Sequence, residues 1–319
     1  MIDIARGVGT RPCPICTSPA ARLRGPQRKW PYHVCHSCGH TFLFPAPGQE
    51  ELAKHYNSAY SVPRAEFERQ VEREFPWLRK LLADVGLRKG AMLEIGCSYG
   101  SMLRHFRDLG WETVGIEWDA RAAEAAREEH NLVVYAGAVE EIAPGMDCTF
   151  DVVIGSHVIE HAREPRLLVS NLARVMRPGS VLLLRTPNAR SLAARICSGW
   201  WQWAVAPEHV HLFSGESLAR LLTSEGFTVS RRDFRRGDAN STLFELIHSA
   251  GKRVLGNTDE GRAEKLSGSG PRPLSSGLLF GFVRSVLNGV GGALDWAIQR
   301  APLPVRPALP EMLVIARRN

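Results

Sequence analysis

The chain has 319 residues, 44% of them hydrophobic and 23% charged, with a formal charge of +7 at pH 7. Such totals suit a soluble globular protein of one large domain and a small one, and no run approaches the ~18 uninterrupted apolar residues of a membrane span. The basic excess lies in short clusters, Arg22 to Lys29 and Arg231 to Arg236, of the kind that face solvent, so nucleic-acid binding is not indicated.

The opening residues, MIDIARGVGT, hold no apolar core of signal-peptide length. The cysteines are therefore expected in a reducing compartment, where metal binding outranks a disulfide framework. The expected location is the cytoplasm.

Residues 11–44 read as a module of their own. Cys13 and Cys16 form one C-x-x-C, and Cys35 and Cys38 form a second, with 18 residues between them. That is the spacing of a closed tetrahedral four-cysteine Zn2+ site, structural rather than catalytic. So small a segment has little core, and metal binding would supply its folding energy. The neighbouring His33, His36 and His40 are not needed as ligands. A short helix and an aromatic connector follow over 46–62, and apolar residues from Phe67 to Val85 recur at helical spacing, with Pro76 expected to kink or split that helix.

The central stretch is Met92 to Asp119. Met92-Leu93-Glu94-Ile95 has the character of a buried parallel strand. Gly96 and Gly100 bracket a tight turn, Met102 to Leu109 follow at helical spacing, and Thr113 to Ile116 form a second strand ending on Glu117, 21 residues beyond Gly96. Strand, glycine turn, helix, strand and acid make a nucleotide-binding half of a doubly wound fold, with the acid where a ribose-binding carboxylate belongs. Ser98 stands where the dinucleotide fingerprint needs its second glycine, so the turn suits a pyrophosphate poorly. An NAD site and a ligand-free structural turn remain the alternatives.

Further on, Ala120 to His130 is an alanine-rich helix, Leu132 to Tyr135 a third strand, Phe150 to Ser156 a fourth and Val181 to Leu184 a fifth, the last preceded by a turn at Arg177-Pro178-Gly179. Glu216 to Glu225 is a helix, Phe227 to Phe234 the sixth strand and Met312 to Ala316 the last. This alternation gives an α/β class with a parallel sheet. His157 to His161 spells H-x-x-E-H, but it falls at a strand end and not on the helix a zinc protease needs. His157 and His161 are candidate general bases or loop-packing residues; His209 and His211 are two more candidates. Trp200, Trp201 and Trp203 suit either an acceptor pocket or the core. Between the last two strands, 256–277 is Gly/Ser-rich and 278–298 is an amphipathic helix, which fits packing on its own domain, a homodimer contact or a membrane surface.

These motifs resemble the class I S-adenosylmethionine-dependent methyltransferase family. Glu94, Gly96 and Gly100 match its first motif with Ser98 at the middle glycine, and "FDVVIGSHVIEHAREP", "LARVMRPGSVLLLRTPN" and "HVHLFSGESLARLLTSEGF" follow in the order of one family that also contains the ubiquinone-type O-methyltransferases, giving a ubiquinone-type O-methyltransferase-like core. The resemblance implies a doubly wound, seven-stranded Rossmann-like sheet with a small amino-terminal zinc ribbon. It implies S-adenosylmethionine as cofactor, with Gly96 and Cys97 lining the methionyl end, Glu117 taking both ribose hydroxyls, Trp118 against the adenine, and Ser156 bordering the cleft. Ala138 occupies the position of an acid that often reads the adenine amino group, which leaves that contact to backbone amides. The connector would fold over the cofactor, making Tyr56 and Tyr60 candidate lid residues.

The expected segments are a zinc ribbon (1–45), connector and lid helices (46–88), the methyltransferase core (89–235), an insertion (236–310) and the final strand (311–319). The expected activity is methyl transfer to a small-molecule, glycan or lipid-linked saccharide acceptor, first of all at oxygen; Ser156-His157 in place of the Asn/Asp-Pro-Pro-aromatic motif of amide and adenine N-methyltransferases disfavours nitrogen and favours oxygen or carbon. An rRNA methyltransferase and a non-catalytic cofactor-binding scaffold are the competing readings. A lipid-linked acceptor would bring the protein to the inner face of the membrane through 278–298.

Overall fold

The computed structural model describes residues 12–26, 29–48, 50–52, 64–147, 149–235, 242–255, 293, 295–296 and 309–319. Tyr56, Tyr60, the stretch 256–277 and nearly all of 278–298 lie outside these. In chain order come β1 (Ala21–Leu23), β2 (Tyr32–Cys35), β3 (Thr41–Leu43), α1 (Arg64–Asp84), β4 (Ala91–Ile95), α2 (Ser101–Asp108), β5 (Glu112–Glu117), α3 (Ala120–His130), β6 (Val133–Ala136) and α4 (Val139–Ile142). They are followed by β7 (Phe150–Ser156), α5 (Pro165–Arg174), β8 (Met176–Pro187), α6 (Leu192–Cys197), β9 (His211–Leu212), α7 (Gly215–Ser224), β10 (Phe227–Arg235), α8 (Thr242–Leu255) and β11 (Glu311–Arg318).

The chain forms two compact units. One comprises Ser61–Arg185, Ala219–Arg231 and Val314–Asn319; the other comprises Met1–Tyr60, Thr186–Leu218 and Arg232–Leu313. The linear segments expected from the sequence are thus interleaved.

The first unit is built on a seven-stranded sheet of order β10-β11-β8-β7-β4-β5-β6. The pairs β4–β5, β5–β6, β4–β7 and β7–β8 are parallel. The chain runs outward from β4 through β5 to β6 and then returns to β7, so the order reverses between β4 and β7. In an open parallel sheet the ligand crevice lies beyond the strand ends at such a reversal. Met92, Leu93, Ile95, Val152 and Val153 are buried, as strands covered on both faces require. Helix α3 starts on Asp119, whose side chain accepts from Arg121 N, and stops at Asn131 in the left-handed region.

Two local expectations are met in part or corrected. Pro76 does not split helix α1, which runs from Arg64 to Asp84 with Val71 before the proline and Leu78, Leu81 and Leu82 after it buried. Burial of both halves outweighs the one backbone hydrogen bond that proline removes. Arg177-Pro178-Gly179 is not a turn before the fifth strand but part of the twelve-residue β8, with a register shift against β7 between Phe150 and Val152.

In the second unit, β1, β2, β3 and β9 form an antiparallel sheet in that order. The cysteine-rich segment therefore takes its fourth strand from His211–Leu212, far along the chain, with Phe42 opposite His211. Tyr32, Leu43, Ala193, Ala194, Trp201 and Leu212 share one buried cluster. The Arg24 guanidinium donates to Thr41 Oγ1 and to Ala194 O, each at 2.9 Å. Where the expected insertion begins, the structure places α8, a helix the sequence reading did not anticipate.

Candidate functional site

Strand β4 ends in a carboxylate with nowhere to go. Glu94 is 8% exposed, and its Oε2 has no hydrogen-bond partner among the described residues. Burial, reinforced by the Glu117 and Glu74 carboxylates, raises its pKa to about 8. A buried polar atom without a partner is uncommon and marks a place where a ligand or water belongs.

The turn after β4 is held by its own backbone and by Glu117. Gly96 N–H donates to Ile116 O at 2.8 Å. Glu117 Oε2 accepts from Ser98 N at 2.7 Å and its Oε1 from Asp119 N at 2.9 Å. Burial pushes the Glu117 carboxyl up, against these donors. Gly96, Ser98 and Gly100 all have positive φ, at 69°, 49° and 73°, which for Ser98 is a strained left-handed conformation.

Both glycines leave room that a side chain would fill. Gly96 is exposed, and a Cβ on it would lie 2.6 Å from Val158 Cγ2. A Cβ on Gly100 would lie 2.5 Å from Leu132 Cδ1 and 3.0 Å from Ala126 Cβ, so this glycine serves the packing of α3. Cys97 is wholly buried; a Cβ on Gly115 of β5 would lie 2.5 Å from its Sγ. Its thiol lies beneath the sheet, leaving only its backbone to line a ligand. Trp118 stands just past β5 and is 47% exposed. Ala138 caps the short α4 without a side-chain hydrogen bond.

At the end of β7, Ser156 Oγ accepts from Arg185 Nε at 2.8 Å. His157 has φ of 55°, its N–H donates to Arg185 O at 2.8 Å, and its Nδ1 lies 3.1 Å from Glu160 Oε1. The Glu160 side chain is 1% exposed and that of His157 25%. His161 N–H closes a turn on Val158 O at 3.0 Å. The H-x-x-E-H motif is therefore a strand end and a turn, not a helix face.

The other two candidate histidines belong to the second unit. His209 is 5% exposed, with Nδ1 2.8 Å from Trp203 O and its ring stacked on Trp203. His211 is 2% exposed, its Nδ1 3.0 Å from His40 Nε2. Burial and the adjoining His211 push His40 well below the usual histidine range. Buried Trp201 belongs to the core of this unit. The Trp201 and Trp203 indoles, with Gln202, all donate to Glu245 on α8, at 3.2, 2.8 and 2.8 Å. Arg185, Glu74 and Glu245 are polar residues in otherwise apolar patterns and went unnoticed in the sequence.

The four amino-terminal cysteines converge, with all four sulfurs within 4.8 Å of one another. Cys13 Sγ lies 3.6 Å from Cys38 Sγ, and Cys16 Sγ 3.5 Å from Cys35 Sγ. Zn–S bonds near 2.3 Å give tetrahedral edges of about 3.8 Å. The donor set fits a zinc ion. Knuckle N–H groups of Ile15 and Ser37 point at Cys13 Sγ and Cys35 Sγ, at 3.5 and 3.3 Å.

The methyltransferase domain family matches residues 67–231, just over half of the chain. A Mycolicibacterium smegmatis protein named as a probable S-adenosylmethionine-dependent methyltransferase is 30% identical over 139 residues, covering 43% of this chain and 52% of that protein. A ubiquinone biosynthesis O-methyltransferase of Maricaulis maris is 27% identical over 135 residues, covering 40% of this chain and 52% of its own length. The chain thus spans about half the length of these relatives. A solved SAM-dependent methyltransferase of Archaeoglobus fulgidus superposes with a TM-score of 0.48 at 19% identity, over 84% of this chain and 99% of that one. The matched segment carries strand β4 with Glu94, the turn from Gly96 to Gly100 and the carboxylate Glu117, and the chain belongs to the methyltransferase domain family.

Proposed function

We propose that this methyltransferase acts on a hydroxyl oxygen of a small-molecule, glycan or lipid-linked saccharide acceptor, with His157 as general base. The observation that carries the reading is the pairing of His157 with the buried Glu160 carboxylate at 3.1 Å, at the end of β7. A carboxylate beside Nδ1 favours the tautomer with the proton on Nδ1, which puts the basic lone pair on Nε2. That nitrogen can take the proton of an acceptor hydroxyl, and Glu160 stabilises the imidazolium that results.

S-adenosylmethionine, when bound, supplies an electrophilic methyl on a sulfonium, so the protein's task is mainly to hold the reacting atoms in line. The unpartnered Oε2 of Glu94 suits the cofactor's ammonium. Glu117 retains lone pairs for ribose hydroxyls, Trp118 stands just past β5 where the adenine would lie, and the exposed backbone at Gly96, followed by that of Cys97, would border the methionyl chain. Ser98, Gly100, Ala138 and Ser156 shape the surrounding backbone. An oxygen acceptor is supported by the Ser156-His157 sequence at the end of β7 and by relatives named as O-methyltransferases. We assign the four-cysteine cluster to structural Zn2+, which would hold the β1–β3 segment together.

The test is a screen of glycans and lipid-linked sugars with methyl-labelled S-adenosylmethionine, using the wild type and His157→Gln. The reading expects an O-methyl product and a rate lowered about 10²–10⁴-fold in His157→Gln with cofactor affinity retained. Label in nitrogen or in rRNA, or an unchanged rate in His157→Gln, would refute it.

A further inference from the structure

Arg185 interrupts the apolar run of β8 and is buried, its side chain 5% exposed. A guanidinium out of water needs partners in good geometry, and those of this one include a hydroxyl and a carboxylate. Its Nε–H donates to Ser156 Oγ at 2.8 Å, and an Nη–H donates to Glu74 Oε1 on α1 at 2.9 Å. Arg185 stands opposite Ser156 in the β7–β8 ladder, and its carbonyl accepts His157 N–H. One residue thus grips the end of β7 by both main chain and side chain.

That grip falls where the backbone is least comfortable. His157 is a non-glycine residue at φ 55°, a conformation that persists only when its surroundings over-determine it. Its N–H on Arg185 O and its Nδ1 on Glu160 help to determine it. The first depends on where Arg185 sits, and Arg185 is tied to α1. Glu74 is 14% exposed, and its Oε1 also accepts from Gln70 Nε2 at 2.8 Å, a contact within α1 that aims the carboxylate. At the start of α1, Arg64 and Phe67 lie against Tyr99 of the glycine turn, with Arg64 5.0 Å above the ring and the Phe67 ring centroid 6.3 Å away. The same helix therefore touches the cofactor turn at one end and the β7 terminus through Arg185 further along.

We propose that Arg185 is a positioning residue of the methyl-transfer site: it fixes the Ser156–His157 turn, and its ion pair with Glu74 makes the docking of α1 a condition of that geometry. The role in catalysis rests on His157 being the base; the mechanical coupling does not.

The test is amide hydrogen exchange on the full-length, zinc-loaded protein, comparing the wild type with Glu74→Gln, Arg185→Met and the double variant. Glu74 lies on α1, more than eighty residues before the turn in sequence, and Glu74→Gln is expected to speed exchange over residues 156–161 about tenfold. Peptides covering β5 and β6 keep their wild-type rates. Arg185→Met does the same, and the double variant adds little to it. In histidine-labelled protein, the ring signal of His157, identified by its loss in His157→Gln, moves in Glu74→Gln while the other ring signals stay. Should Arg185→Met not fold, Glu74→Gln alone decides the matter. Unchanged exchange at 156–161, or equal acceleration of every peptide, overturns the proposal. If the coupling is present but His157→Gln turns over normally, the base assignment fails and the positioning stands.

Discussion

Glu94 gives the account a quantitative pH test. Its carboxyl is 8% exposed, and burial, with Glu117 and Glu74 nearby, raises its pKa to about 8. Near neutral pH the cofactor-free protein therefore holds Glu94 mostly protonated, whereas the cofactor's ammonium and sulfonium favour the carboxylate. At pH 7 about one molecule in ten is ionised, and selecting that form costs about 1.4 kcal/mol of binding. Between pH 5.5 and 7.5, apparent affinity for S-adenosylmethionine should rise about 75-fold as that cost disappears. The range stops there because an α-amino group itself titrates near 8. Calorimetry at pH 7 in buffers of low and high ionisation enthalpy should find about 0.9 proton released per cofactor bound, and Glu94→Gln should abolish both the slope and the release. The same shift sets the sign for folding. The folded protein keeps a proton that the unfolded chain loses near 4.5, so this stabilisation is complete below that pH and lost as pH rises through about 8. Glu94→Gln should remove that part of the decline. A pH-independent affinity in the wild type, or the same slope in Glu94→Gln, would refute the reasoning.

Other variants probe other parts of the chain. Purified protein should carry one Zn2+ per chain by elemental analysis, and Cys16→Ser or strong chelation should lower the melting temperature, since an ion on the four converging sulfurs would brace the small β1–β3 segment. Glu245→Ala should destabilise the protein by about 3 kcal/mol in denaturant unfolding, because Trp201, Gln202 and Trp203 all lose the acceptor they share. Gly115→Ala should cost about 1–3 kcal/mol through overpacking, its Cβ arriving 2.5 Å from Cys97 Sγ. Adding Cys97→Ala should recover much of that loss, a coupling a double-mutant cycle would measure.

How much of this was legible beforehand depended on how local the signal was. The strands from β4 to β7 and helix α3 fall within a residue or two of their sequence expectations, because each is a continuous apolar or helical pattern closed by its own cap or glycine. The glycine turn and Glu117 were legible for the same reason: their spacing is itself the geometry. Features created by distant partners were not legible. β9 is two residues long and exists through its pairing with β3. Helix α8 carries Glu245 in its first turn, and nothing within Thr242–Leu255 shows that this acid faces three N–H donors from Trp201 to Trp203. Gly100 reads as a ligand-binding glycine, yet its neighbours Leu132 and Ala126 show it to be a packing glycine. Cys97 reads as a ligand-lining residue, although its side chain turns under β5. Among four candidate histidines, separation came from surroundings: His157 is set against a buried carboxylate, whereas His211 is buried against His40.

The central claim is that the turn from Gly96 to Gly100, with Glu94 and Glu117, holds S-adenosylmethionine. Calorimetric titration of S-adenosylmethionine and S-adenosylhomocysteine into the zinc-loaded protein, beside Glu117→Ala, tests it most directly. Loss of a carboxylate that bonds two ribose hydroxyls should cost about 2–3 kcal/mol, so saturable one-site binding should weaken roughly 30–150-fold in Glu117→Ala. Failure of the folded protein to bind either compound, or equal affinity in Glu117→Ala, would contradict it.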